Sequence, residues 1–222
     1  MTRMLRCAYR RMVMLLGRIL TFIYVGKYEV VGRENVPEAG PVIVASNHLN
    51  NADPPFLARA LVRTPVFMTK KEMLDMPLFG LGFRAWGAFP VRRGEVDLSA
   101  MRAATKLIRR GEMLLMFPEG TRSRTGGLGP GRSGTAAIAL RTDAPILPVA
   151  ITGTESIKWP GFLFRPRLVP RVRVVIGKPF HLTEGGRASR AVVREATEAI
   201  MGRIAELLPP EYRGVYARQQ SG

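Results

Sequence analysis

The fold is decided in residues 42–55, which have the sequence VIVASNHLNNADPP. The first four, Val42 to Ala45, form an uninterrupted apolar run followed at once by polar residues, a pattern that predicts a buried strand ending in a loop. Asp53 stands directly before two prolines, which favours Asp53 as a helix N-cap and Pro54 as the first helical residue. The segment therefore predicts a strand that brings His48 to the edge of a sheet, with a carboxylate nearby at the start of a helix.

The histidine and the aspartate of this segment, His48 and Asp53, are the first candidates for catalysis. An imidazole paired with a carboxylate can take a proton from a hydroxyl group, because the carboxylate fixes the ring tautomer and stabilises the imidazolium that forms. The alternative is that Asp53 is only a helix cap and His48 only a loop residue, since pairs of this kind also recur by chance. Ser46 is a candidate nucleophile, but residues two apart at a strand end share a face without touching, which favours direct attack by a bound substrate hydroxyl.

The composition of the chain restricts its class and its partners. Its 222 residues suffice for one α/β domain with a few appended helices, and a hydrophobic content of 46% excludes a disordered chain. The formal net charge of +17 predicts an anionic partner such as nucleic acid, an anionic membrane surface or a phosphorylated substrate. A single cysteine, Cys7, excludes an intrachain disulfide, and with only two histidines beside it we expect no metal site and no cofactor.

Residues 1–27 contain six basic residues, no acidic residue and many apolar ones. Arg11 and Arg18 are seven residues apart and share one face of a helix, while apolar side chains cover most of the remaining surface. This pattern predicts an amphipathic helical segment in a membrane interface, with basic residues at the lipid headgroups; a helix packed on the core with its arginines in water is the alternative. No run of about 18 apolar residues occurs, so we expect no simple spanning helix. We therefore divide the chain into a membrane-associating segment, 1–27, and an α/β domain, 28–222.

The rest of the chain alternates between strand and helix patterns. Strands are predicted at residues 28–32, 42–46, 65–69, 88–91, 113–117, 146–151 and 172–176. Helices are predicted at residues 54–62, 98–110 (capped by Asp97) and 134–141, with a short helix and turns in 74–89 and a last helix starting at Thr183 or Ser189. Because strands that alternate with helices form parallel crossovers, we expect an α/β fold with a mostly parallel central sheet flanked by helices.

A second polar segment, Phe117 to Ser123, follows its predicted strand just as the first segment follows its own. The two strand ends can lie side by side at one sheet edge, which is where open α/β sheets bind ligands. Gly120 allows a close approach of the backbone, and Arg122 offers a planar fork of donors suited to a phosphate group. Lys70 and Arg93 also follow strand ends and can add positive charge at this edge.

Together these segments resemble the glycerolipid acyltransferases of the lysophosphatidic acid acyltransferase type. Four blocks carry the resemblance in the family's order and spacing, the third being the most specific: Asn47-His48 with Asp53, Gly87 to Arg93, Phe117 to Ser123, and Leu147 to Ala150. The match spans residues from about 28 to 180. One departure is Arg92, where family members often have an acidic residue, so the resemblance leaves open which arginine meets the phosphate and which headgroup is bound.

The resemblance implies an enzyme that moves a fatty acyl group from acyl-CoA or acyl-carrier protein to the sn-2 hydroxyl of 1-acylglycerol 3-phosphate. It implies that His48 is the general base and that Asp53 is its partner. It also implies an acceptor site whose basic groups bind the phosphate, formed by Lys70, Arg93, Glu119, Gly120, Thr121 and Arg122. The implied partners are membrane lipids, lysophosphatidic acid and the acyl donor, at the cytoplasmic face of the cell membrane.

Three alternatives stay open on the sequence. The acceptor can be another lysophospholipid or lipid alcohol, and a lipid-binding relative without catalysis is the non-enzymatic alternative, against which the intact His48–Asp53 pair argues. A nucleic-acid-binding protein would also be basic, but the positive residues are scattered and no nucleic-acid motif is evident, so we expect no nucleic-acid partner.

Overall fold

The structure, a computed structural model, describes residues 25–76, 79–91, 97–157, 169–182 and 189–217, together with Met12, Leu15, Ile19 and Phe22. Within these ranges seven strands form one sheet: β1 (Val25–Val31), β2 (Val42–Ser46), β3 (Val66–Lys70), β4 (Phe89–Val91), β5 (Met113–Met116), β6 (Ile146–Thr152) and β7 (Val169–Ile176). Their order across the sheet is β1-β7-β6-β2-β5-β3-β4.

The sheet is parallel at every pairing except the one between β6 and β7. Strands β1 and β7 are parallel to each other, so both run opposite to the other five. The predicted α/β fold with a mostly parallel central sheet is confirmed. Strand β2 lies between β5 and β6 with all of its residues buried, which explains why its sequence is a continuous apolar run rather than an alternating one.

Helices cover both faces of this sheet: α1 (Asp53–Ala60), α2 (Lys71–Asp75), α3 (Phe79–Trp86), α4 (Leu98–Arg109), α5 (Gly134–Thr142) and α6 (Arg190–Leu207). Successive residues of a strand point to opposite faces, and β2 uses both. Val42 and Val44 pack in a core with α1, α2 and α3, whereas Ile43 and Ala45 pack in a second core with α4, α5 and α6. The central strands are therefore held between two helical layers.

Element starts were predicted well where a local cap signal exists and less well where it does not. The side chain of Asp97 caps α4 as predicted, and Ser189, one of the two predicted starts of the last helix, caps α6. Strand β1 begins at Val25 rather than at Tyr28, because Val25 pairs with Val169 of the distant strand β7. Most of the predicted N-terminal segment lies outside the described residues, and its separation from the domain stays a prediction.

The carboxyl ends of β2, β5 and β6 lie side by side at one edge of the sheet, because Ala45 pairs with Met116 and Ser46 pairs with Val149. The loops that follow these strands therefore meet there, at the edge where parallel sheets bind ligands. Strand β1 runs the other way, so its first residue, Val25, lies at the same edge. The topology thus places both predicted site segments and the start of β1 together.

Candidate active site

The polar loop after β2 is anchored by the side chain of Asn47. The amide nitrogen of Asn47 donates to the carbonyl of Ile151 at 2.8 Å, and the N–H of Ile151 donates back to the amide oxygen at 2.8 Å. These two bonds copy a backbone pairing and extend the contact between β2 and β6 by one residue. The loop is therefore held against β6 directly after β2 ends at Ser46, and this contact positions the next residue, His48.

His48 and Asp53 form a buried pair, with 2.8 Å between Nδ1 of the imidazole and Oδ2 of the carboxylate. Because an ionised carboxylate only accepts hydrogen bonds, Nδ1 carries the proton of the neutral ring and the lone pair is on Nε2. The ring of Phe117 stacks on the imidazole, with centroids 3.9 Å apart and planes 17° from parallel. No described residue is hydrogen-bonded to Nε2. The pair is therefore arranged to accept a proton at Nε2.

The carboxylate of Asp53 is fully buried and accepts hydrogen bonds at both oxygens. Oδ2 accepts from the N–H groups of Leu49 and Asn50, both at 2.7 Å, as well as from His48. Oδ1 accepts from the hydroxyl of Thr154 at 2.6 Å. This set of donors offsets the cost of burying a charge and supports the ionised form.

The prediction that Asp53 caps the following helix is wrong. Helix α1 begins at Asp53 itself, and the residue in the cap position, Ala52, makes no side-chain capping bond. The reason is that the carboxylate turns back toward the loop and accepts the N–H groups there instead of those of the first helical turn. Pro54 lies in that first turn, where its missing N–H would have had no helical partner in any case.

Glu119 connects the two site loops through their backbones. One carboxylate oxygen accepts from the N–H of His48 and the other from the N–H of Gly129, both at 2.9 Å, and the side chain is buried. Burial raises the pKa of Glu119, while the hydrogen bonds from Gly129 and His48 lower it and the charge of Asp53 raises it. Since backbone N–H groups occupy both oxygens, the geometry favours a supporting position for Glu119 over direct contact with the acceptor.

Gly120 lies in a turn that only glycine adopts without strain. Its φ is +68°, and a Cβ there would lie 2.7 Å from Cδ of Arg132. The N–H of Gly120 donates to the carbonyl of Phe117 at 2.9 Å, so this amide is already used within the turn. The N–H of Ser123 donates to the carbonyl of His48 at 2.7 Å, which joins the turn directly to the first loop.

Of the four remaining predicted site residues, three lie within the described part of the chain. Lys70 is the last residue of β3, whose end lies at the same edge as that of its neighbour β5. Thr121 and Arg122 have exposed side chains in the turn after β5. Arg93 lies outside the described residues. Within the described ranges, no group of three or more His, Cys, Asp or Glu side chains is placed to hold a metal ion.

The buried His48–Asp53 pair beside the turn of residues 117–123 is matched in a known family. The family model described as Acyltransferase matches residues 27–152, which is more than half of the chain. The chain belongs to the acyltransferase family. The resemblance drawn from the four sequence blocks is thereby confirmed.

Curated relatives and a solved structure agree with this assignment. The chain is 30% identical to the 1-acyl-sn-glycerol-3-phosphate acyltransferase of Pseudomonas aeruginosa, over 87% of this chain and 76% of that protein. It is 30% identical to the Bacillus subtilis protein of the same name, over 82% of this chain and 88% of that one. Against the crystal structure of PlsC from Thermotoga maritima, a 1-acyl-sn-glycerophosphate acyltransferase, the TM-score is 0.70 at 27% identity, covering 88% and 77% of the two chains.

The chloroplastic relatives are much longer than this acyltransferase. The chain is 29% identical to the BAT2 1-acyl-sn-glycerol-3-phosphate acyltransferase of Brassica napus over 160 residues, which are 70% of this chain and 45% of that one. The chain therefore spans less than half the length of that relative, and three quarters or more of the two bacterial ones.

For three residues around the candidate site the sequence predicted no role. Phe117 was part of the third block, but its stacking on His48 depends on how the loops fold over each other. Arg132 lies over Gly120, and its place at the end of a glycine-rich loop was the signal that could have found it. Thr154 follows β6 and carries no sequence signal, because its partner Asp53 is 101 residues away.

Proposed function

We propose that this acyltransferase moves a fatty acyl group from acyl-CoA or acyl-carrier protein to the sn-2 hydroxyl of 1-acylglycerol 3-phosphate, which forms phosphatidic acid. The observation that carries the proposal is the buried His48–Asp53 pair at the sheet edge beside the turn of residues 117–123, with no described residue hydrogen-bonded to Nε2. The bacterial relatives named for this reaction support the choice of acceptor.

In this mechanism Nε2 of His48 takes the proton of the acceptor hydroxyl while the hydroxyl oxygen attacks the carbonyl carbon of the thioester. The tetrahedral intermediate then collapses, the carbon–sulfur bond breaks, and the imidazolium returns its proton to the departing thiolate. Asp53, 2.8 Å from Nδ1, stabilises the imidazolium between these two steps. General-base assistance of this kind contributes about 10²–10⁴-fold to the rate.

A covalent acyl-enzyme on Ser46 is disfavoured by the contacts of that residue. Its side chain is fully buried, and its hydroxyl donates to the backbone carbonyl of Asn47 at 3.1 Å. Nδ1 of His48 is bonded to Asp53 and cannot activate a serine. These contacts favour direct transfer from the thioester to the bound hydroxyl.

Positive charge at the site edge supports a phosphate-bearing acceptor. Arg122 and Arg132 are both exposed, and neither has an acidic partner among the described residues. A guanidinium group matches the geometry of a phosphate with two parallel N–H donors. We assign the phosphate to these two arginines together with Lys70, Thr121 and Arg93.

The proposal is tested by radiolabelled acyl transfer to lysophosphatidic acid, with acyl-CoA and acyl-carrier protein as donors and a panel of other lysophospholipids and lipid alcohols as acceptors. We expect His48→Ala to lose at least about a hundredfold in rate while its circular dichroism spectrum is unchanged. The matched control is His181→Ala, since His181 is an exposed histidine whose ring lies 3.6 Å from Asp143. A His48→Ala enzyme that keeps more than a tenth of the wild-type rate rejects the base assignment, and faster transfer to another acceptor rejects lysophosphatidic acid.

We also propose that the protein binds the cytoplasmic face of the membrane through its N-terminal segment. Met12, Leu15, Ile19 and Phe22 are helical and exposed, and their spacing places all four on one face of a helix. They precede Val25, which lies at the site edge of the sheet, so this apolar face is close in sequence to the edge where a lipid would enter. No helix in the described part of the chain is long and apolar enough to cross a bilayer.

A vesicle co-sedimentation assay with phosphatidylglycerol and phosphatidylcholine tests this placement. Leu15 and Phe22 have exposed fractions of 58% and 73%, so replacing both by Asp should release the protein from vesicles without unfolding it. Val215→Asp is the matched control, because Val215 is an equally exposed apolar residue, 63%, in another part of the chain. Unchanged vesicle binding by the double variant, or equal loss in the control, would contradict the proposal.

A further inference from the structure

The hydroxyl of Thr154 contacts the candidate site although Thr154 follows a different strand. Thr154 is the first residue of a short 3-10 turn, Thr154–Ser156, directly after β6 and Gly153. Its side chain is completely buried, and its hydroxyl donates to Oδ1 of Asp53 at 2.6 Å. Within the described residues this hydroxyl is the one donor to Oδ1, whereas three N–H groups donate to Oδ2.

This unequal distribution of donors fixes the orientation of the carboxylate. The terminal torsion of an aspartate is broad and roughly two-fold, so the chain alone does not define which oxygen faces a neighbour. At Asp53 the hydroxyl holds one oxygen on the side of β6, and the N–H groups hold the other on the side of the loop. With both ends held, Oδ2 is the oxygen presented to Nδ1 of His48.

The turn that carries Thr154 is rigid enough to act as a reference point. Gly153 has a φ of +90°, and a Cβ there would lie 1.9 Å from the carbonyl oxygen of Arg171 in β7, so no other residue fits. The N–H of Ile157 donates to the carbonyl of Thr154 at 3.0 Å and closes the turn. The carbonyl of Ile157 accepts from the side chain of Asn50 at 2.9 Å, which bonds the same turn to the loop of His48.

We propose that Thr154 is a positioning residue of the transfer reaction, which holds Asp53 so that His48 keeps the tautomer and ring orientation needed to take the acceptor proton. The inference rests on the proposed role of His48 as the base. Thr154, in the turn after β6, is then a third residue that acts together with His48 and Asp53. Thr154 itself does not contact the reacting atoms; it acts through Asp53.

The test compares three variants of the full-length enzyme in the transfer assay. Thr154→Val has almost the same shape without the hydroxyl, Thr154→Ser keeps the hydroxyl without the methyl group, and Thr154→Ala removes both. Because a hydrogen bond to a charged group is involved, we expect kcat to fall about 10- to 100-fold in the Val and Ala variants, with KM for both substrates unchanged. We expect Thr154→Ser to stay within about threefold of wild type in kcat.

Two further measurements separate positioning from a purely structural role. Melting temperatures are recorded for each variant, and rates are compared where all are folded; if neither the Val nor the Ala variant folds, the hydroxyl serves the fold and the proposal is wrong. Wild-type kcat in a folded Thr154→Val enzyme also overturns it. In a double variant with His48→Ala, Thr154→Val should cause no further loss, because the hydroxyl acts only through the base. If His48→Ala alone retains activity, the proposed role of His48 as the base is wrong. If His48→Ala is inactive but Thr154→Val keeps the wild-type kcat, only the role of Thr154 is wrong.

Discussion

Replacing Asp53 by Asn removes the charge of the His48 partner while keeping the hydrogen bonds of the site. The amide oxygen can accept the three N–H groups now bound to Oδ2, and the amide nitrogen can donate to the hydroxyl oxygen of Thr154, which reverses the direction of that one bond. A carboxylate and an imidazolium with charge centres about 4 Å apart attract each other by about 4 kcal/mol at an effective dielectric constant of about 20. At about 1.4 kcal/mol for each factor of ten, we expect a loss of about a thousandfold in kcat.

The Asp53→Asn enzyme is assayed by radiolabelled acyl transfer, and its folding by thermal denaturation. Because the hydrogen bonds are preserved, we expect the melting temperature to stay within about 5 °C of wild type. Asp143→Asn is the matched control, since Asp143 also lies near a histidine, His181, but on the surface, at 3.6 Å. A folded Asp53→Asn enzyme within tenfold of the wild-type kcat would refute the reasoning, because the carboxylate charge would then be unimportant for the transfer.

Three further predictions concern the turn after β5. Gly120→Ala should lower the melting temperature by about 2–4 °C for each kcal/mol of left-handed strain, and it should raise the acceptor KM because the new methyl group displaces Arg132. The control is Gly126→Ala, because Gly126 has a similar φ of +82° with open space around it; this variant should lower the melting temperature without changing the KM. Arg132→Ala should raise the acceptor KM about tenfold with little change in kcat. The control is Arg124→Ala, since Arg124 is an exposed arginine of the same loop; equal KM values in the two variants would contradict the phosphate assignment. Burial holds the pKa of Glu119 above its ordinary value of 4.5, so its contribution to stability is full below about pH 4.5 and falls as the pH rises through the raised pKa. The melting temperature of Glu119→Gln minus that of wild type should therefore increase as the pH rises through that range, and a decrease would contradict the raised pKa of Glu119.

The sequence was most informative where a local pattern has one physical meaning. The apolar run of β2 predicted a buried strand, and Asp97 predicted the start of a helix, since capping depends on residues a few positions away. For the last helix the sequence left two starts open, Thr183 and Ser189, of which Ser189 is the cap. The same local reasoning failed at Asp53, whose carboxylate met every condition for a helix cap but had better donors in the loop. Local pattern cannot rank a nearby helical N–H against donors that tertiary folding brings in.

What the sequence by itself determined is the type of fold, the pair of His48 and Asp53, and the family, because strand and helix periods, caps and motif spacing are properties of short segments. What only the tertiary structure decided is which groups hold that pair. Glu119 reaches the backbone of His48 across 71 residues, and Thr154 reaches Asp53 across 101. The physical reason is that a side chain shows what it can bond, whereas the order and direction of the strands decide which distant loops share an edge and therefore what it does bond.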